Sequence, residues 1–89
     1  MEVNLDVDDD ISRPEFSVYQ FGPGDFYERV REGVHAEEAV RAAHFYSHNV
    51  AAQKGWTKRV IITDGGDYTV FEWKFGEGVT FPPEAKGRQ

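Results

Sequence analysis

Eighty-nine residues, no cysteine and a formal net charge of −6 describe one small acidic domain without disulfides or a thiolate zinc site. A chain this short buries only a little over half of the surface its unfolded form exposes, so an aromatic content of 15% has to supply much of the core. No apolar run approaches the ~20 residues of a membrane span, and Met1 opens a polar, acidic stretch in place of a signal peptide, so a cytoplasmic protein is expected.

The charge is unevenly placed. Residues 1–15 hold six acidic residues and one basic, a net of −5, which leaves ten acidic and nine basic residues, a net of −1, for 16–89. The near-neutral body argues against a strongly nucleic-acid-binding domain. MEVNLDVDDDISRP is poor in apolar residues and crowded with like charges, so 1–14 reads as a disordered acidic tail. The alternative is a strip that docks on a basic partner or on the chain's own Arg and Lys residues.

The body, 15–83, opens with Glu15 to Phe21 (EFSVYQF), an alternating, β-rich first strand. Gly22-Pro23-Gly24-Asp25 marks a turn, and Phe26 to Arg31 returns as a weaker second strand. Pairing Phe21 with Phe26 sets Tyr19, Phe21, Phe26 and Val30 on one face. Phe16, Val18, Tyr27, Arg29 and Arg31 fall on the other, and the more apolar first set is the expected core. Glu32-Gly33-Val34 ends the strand. His35 then stands at a helix N-cap position, with Glu38 placed as in a capping box. From Ala36 to about Lys54 the residues Ala36, Ala39, Val40, Ala43, Tyr46, Ser47 and Val50 form one small, alanine-rich stripe, which predicts close packing on a sheet. Gly55 stops the helix, and Trp56 is placed for a contact back to Ala51.

Val60 to Thr63 and Tyr68 to Phe75 are strands joined through Asp64-Gly65-Gly66-Asp67, either a two-residue Gly-Gly hairpin or its four-residue variant. Their core face carries Val60, Ile62, Thr69, Phe71, Trp73 and Phe75. The reverse carries Ile61, Thr63, Tyr68, Val70, Glu72 and Lys74. Val79-Thr80-Phe81 is a candidate fifth strand, and 84–89 is a polar tail. The expected fold is α+β, β-β-α-β-β, with one helix on an antiparallel sheet of four or five strands. The order 2-1-3-4 is favoured, because strands 1 and 3 are apolar on both faces.

Chemistry is harder to find. His44 and His48, four apart on the helix, are a candidate metal pair, yet HExxH and a third ligand are missing. Asp64, Asp67 and Glu72 near a glycine turn lack the ligand spacing of a calcium loop, and Asp at hairpin corners bonds local backbone N–H groups. Ser47 has no paired acid or oxyanion turn, so neither catalysis nor a cofactor is expected. What stands out is the outer sheet face, where Phe16, Val18, Tyr27, Ile61, Tyr68 and Val70 gather with Arg29, Arg31 and Lys74, and Phe45 on the outward side of the helix. Val3, Leu5, Val7 and Ile11 of the tail, or a second copy of the chain, could cover that sheet face. These residues predict a non-catalytic protein-interaction module, with a protein partner or a homodimer on the outer face or Phe45. Single-stranded nucleic acid on Tyr27, Tyr68, Arg29, Arg31 and Lys74 is the alternative from another class.

The stretches VREGV-x-AEEAVRAAHFY and RVIITDGGDYTVFEWKFGEGVTFPP, within Val30 to Pro83, resemble a group of short uncharacterised bacterial proteins. The resemblance implies one compact domain and a bacterial cytoplasmic setting. It implies no activity, cofactor or site residue.

Overall fold

A computed structural model describes residues 13–24 and 26–83. The expected tails, 1–14 and 84–89, lie outside them apart from Arg13 and Pro14. The described chain runs β1 (Phe16–Phe21), β2 (Tyr27–Val34), α1 (Ala36–His48), α2 (Val50–Gln53), β3 (Arg59–Thr63), β4 (Thr69–Lys74) and β5 (Gly78–Phe81). The strands form one antiparallel sheet in the order β2-β1-β3-β4-β5. This is the α+β, β-β-α-β-β arrangement with the fifth strand added. β5 is delivered by a turn in which Glu77 N–H donates to the Lys74 carbonyl (3.0 Å), with Gly76 at φ 85°, the left-handed position a type II turn requires.

The core forms where α1 meets the sheet. Val18, Val60 and Ile62 pack against Ala39, Ala42 and Ala43, and Val18 and Val60 are fully buried. Small alanines let the helix lie close, so the valine and isoleucine side chains fill the gap. The buried stripe is rotated from the one expected: Ala42 and Ala52 are inside, whereas Val40 and Val50 are exposed.

The helix also breaks where the sequence predicts continuity. Asn49 is extended (φ −75°, ψ −178°), and its Oδ1 accepts from Ala52 N–H at 2.9 Å. Asn competes with the helix for backbone donors and serves well as an N-cap, so α1 stops and α2 starts anew. Gly55 (φ 81°) closes α2 as expected, while Trp56 meets Ala51 through its N–H (2.8 Å) with its ring exposed.

The first hairpin corrects the expected faces. Phe21 pairs with Tyr27, Tyr19 with Arg29, Val18 with Arg31 and Phe16 with Val34. Val18 lies opposite Ile62 of β3, so Val18 and Phe16 join the core, while Tyr19 and Phe21 turn outward. Alternation of aromatics on both faces of β1 does not say which face is covered; pairing with β3, whose Val60 and Ile62 lie under α1, decides it. Phe26, expected inside, is 65% exposed. β2 continues past Arg31, through the expected break and Gly33 (φ 62°), to Val34, with its register shifting twice against β1.

The second hairpin keeps its expected faces from Phe71 to Lys74 but not its register, and the bulge at Val70 turns Val70 to the helix side and Thr69, expected in the core, to the outer side beside Arg59 and Glu72. Val60 pairs with Trp73 and Ile62 with Phe71, two residues beyond what a Gly-Gly loop gives. The left-handed residue is Asp67 (φ 68°), and neither Gly65 nor Gly66 has positive φ. Asp64 explains this: its Oδ1 accepts from the N–H groups of Gly66 (2.9 Å) and Tyr68 (3.0 Å), which stabilises a type I turn followed by a bulge. A shift of two preserves strand parity, so Val60, Ile62, Phe71 and Trp73 still share the helix side.

Candidate functional site

One helix about 10 Å wide cannot cover five strands spaced about 4.8 Å apart. α1 lies over β2, β1 and β3. Two surfaces are left, one on the outer face of the sheet and one on the helix side of β4 and β5.

The outer face is organised in rows that cross the strands. Tyr27, Phe21, Arg59 and Lys74 are successive cross-strand partners, and beside them run Arg29, Tyr19, Ile61 and Glu72. Tyr27 packs on Phe21 (ring centroids 5.5 Å) and on Tyr19 (6.1 Å), and the Arg59 guanidinium lies over Phe21 at 4.7 Å. Arg59 also donates to the Glu72 carboxylate, which accepts a second bond from the Thr80 hydroxyl at 2.7 Å. Burial works to raise the Glu72 pKa, but the bonds from Thr80 and Arg59 outweigh it and hold the carboxyl below the ordinary glutamate value. Interaction with the Tyr19 hydroxyl, then with Glu32, raises the Arg29 pKa, so Arg29 remains a fixed positive charge.

Where the rows reach the β1–β2 turn, the face becomes a cleft of about 520 Å³ lined by Phe21, Gly22 to Gly24, Lys58, Arg59 and Lys74. Lys58 lies at its margin, with Nζ 5.1 Å from the centre of the Phe75 ring. Among the described residues this lining holds three cations and no carboxylate.

Of the residues expected to form a binding face, Tyr27, Arg29, Ile61 and Lys74 do share the outer side. Ile61 is only 8% exposed between Tyr19 and Glu72, whereas Tyr27 is 58% exposed. Phe16 is in the core layer. Arg31 is on the helix side, with Nε 3.4 Å from Glu38 and its guanidinium 6.0 Å from the Tyr46 ring. Val70 is the bulge residue opposite the step from Ile62 to Thr63 and lines a helix-side depression with Phe16 and Ala36. Tyr68 is exposed in the β3–β4 turn, and Phe45 packs edge-on against Tyr46 at 5.0 Å on the far side of α1. Neither reaches the cleft lining. Tyr19, Phe21, Lys58 and Arg59 are the participants the sequence reading missed. The signal for them was the pairing of β1 with β3.

His44 and His48 stack face to face, 4.2 Å between centroids and 21° between planes. Ring nitrogens carry their lone pairs in the ring plane, so stacked rings aim them side by side instead of at one point. Among the described residues no three His, Asp or Glu side chains cluster as metal ligands, and no helix is long and apolar enough to cross a membrane.

No protein-family model, curated protein or solved structure matches the chain. The residues alone carry the functional reading.

Proposed function

We propose that the protein is a non-catalytic interaction module that grips an acidic, extended segment of a protein partner in the cleft at the β1–β2 turn. The observation that supports it is that Lys58, Arg59 and Lys74 line one cleft with Phe21 in a chain whose net charge is −6. A carboxylate entering the cleft meets two ammonium groups and a guanidinium, and an apolar or aromatic residue beside it packs on the exposed Tyr27. Glu72 holds Arg59 in place, which lowers the entropy cost of engaging it. A nucleic-acid strand suits the cleft less well. Arg59 already covers Phe21, so Tyr27 is the one outward ring left in this row for a base to stack on.

The test is fluorescence anisotropy with two labelled probes, an acidic peptide with interspersed tyrosines and an oligothymidine of matched charge. The expected result is that the peptide binds more tightly and weakens about tenfold or more in the K58E/K74E variant and at raised salt. Peptide binding that ignores both changes, or oligothymidine binding tighter than the peptide, contradicts the proposal.

A further inference from the structure

The second surface is an apolar groove on the opposite side of the sheet, and it stands independently of the cleft. It lies between α1 and the uncovered strands β4 and β5, encloses about 190 Å³, and has Val40, Phe71, Trp73 and Val79 as its walls. Val40 is 60% exposed at its lip. His44 lines it one helical turn beyond Val40, and Ser47 and His48 a turn further on, so the groove is apolar over Val40, Phe71, Trp73 and Val79 and polar towards the end of α1. An apolar cavity of about 150 Å³ accommodates benzene, so this volume suits one six-membered ring with a small substituent and is too small for a larger ring system.

The polar end is specific in its chemistry. Ser47 Oγ donates to the His44 carbonyl (3.2 Å), and His48 Nδ1 lies 2.9 Å from that carbonyl and 2.9 Å from Ser47 Oγ. A carbonyl oxygen only accepts, so Nδ1 carries the hydrogen and, in the neutral ring, Nε2 carries the lone pair. Ser47 has its hydrogen committed and is almost fully buried, so the polar lining left for a ligand at that end is the stacked pair of His44 and His48 rings, with His48 Nε2 the acceptor that the Nδ1 contacts define. A ring-bound hydroxyl satisfies this acceptor, a bare hydrocarbon does not, and a carboxylate sets negative charge against a lone pair.

We infer that the groove between α1 and β4–β5 is a binding site for a small monocyclic phenol, with the ring between Val40, Phe71, Trp73 and Val79 and the hydroxyl donating to His48 Nε2. The experiment is an NMR titration of the full chain at pH 8 with phenol, toluene and benzoate. It reads the methyl signals of Ala43 and Val79 and the Trp73 indole signal. The expected result is saturable phenol shifts confined to these residues, toluene binding about fivefold weaker for lack of the hydrogen bond, and no shift with benzoate. Two variants at exposed positions, each checked by thermal unfolding, keep the outcome readable. V40W fills the groove and removes the shifts. H48A makes phenol and toluene equal. Absence of phenol shifts at millimolar concentration, benzoate binding as tightly as phenol, or a phenol preference that survives H48A overturns the assignment. Self-association through the groove that phenol fails to displace overturns it as well.

Discussion

The cleft at the β1–β2 turn and the groove beside α1 are two uncovered parts of one sheet with opposite chemistry. The cleft collects Lys58, Arg59 and Lys74 around an aromatic ring, and the groove collects Trp73, Phe71 and Val79 around a space the size of a ring. Both arise from the same economy: a single helix covers one side of the sheet, mainly over β2, β1 and β3. The difference teaches that stability and recognition are divided along the sheet. The helix side of β1 and β3 holds the fully buried Val18 and Val60, while the outer face of those same strands and the helix side of β4 and β5 present side chains to a ligand.

Matched substitutions in the two halves sharpen that division. Val60→Ala, under α1, is expected to cost about 2–3 kcal/mol, because two methyl groups leave a fully buried site that cannot collapse. Val79→Ala, on β5, is expected to cost less than about 1 kcal/mol while widening the groove. Urea unfolding of both variants is the measurement; equal losses would break the comparison. Asn49→Ala tests the join that positions Ser47 and His48. Losing the bond from Ala52 N–H is expected to lower stability by about 1 kcal/mol, read as a thermal shift of about 4–8 °C, with the cleft unaffected.

The smallest expected effect is at Glu72. Its folded pKa is depressed, so the unfolded chain binds this proton at higher pH than the folded one. The stabilisation is present above the ordinary glutamate range and is lost as pH falls through about 4.5 and below. Glu72→Gln is expected to lower stability by up to about 1 kcal/mol at neutral pH and by nothing in strong acid, checked by unfolding at a series of pH values.

The faces of the β3–β4 hairpin were legible where Phe71 and Trp73 alternate with Glu72 and Lys74, which sets Val60 and Ile62 on the same side by pairing, and that alternation survives a shift of two. The actual register was not, because Asp64 moved the left-handed residue from the glycines to Asp67, which shifts the pairing by one, and the bulge at Val70 shifts it by one more. The β1–β2 hairpin was the reverse case. With Phe16, Val18, Tyr19 and Phe21 on both sides of β1, local pattern could not choose a face, and the long-range pairing of Val18 with Ile62 chose it. The aromatic wall of the cleft, Phe21, is hidden from the local pattern for that reason, since alternation sets Phe21 and Tyr19 in the core. Tyr27, Arg29 and Lys74 were placed correctly on the outer side. The groove was hidden for another reason: it depends on how far one helix reaches across the sheet, which no residue pattern encodes.

One titration tests the central claim most directly. Acidic peptide added to the isotope-labelled full chain is predicted to move the signals of Phe21, Lys58, Arg59 and Lys74 and to leave Trp73 and Val79 in place. Shifts centred on Trp73 and Val79, or none at Lys58 and Lys74, would contradict the account.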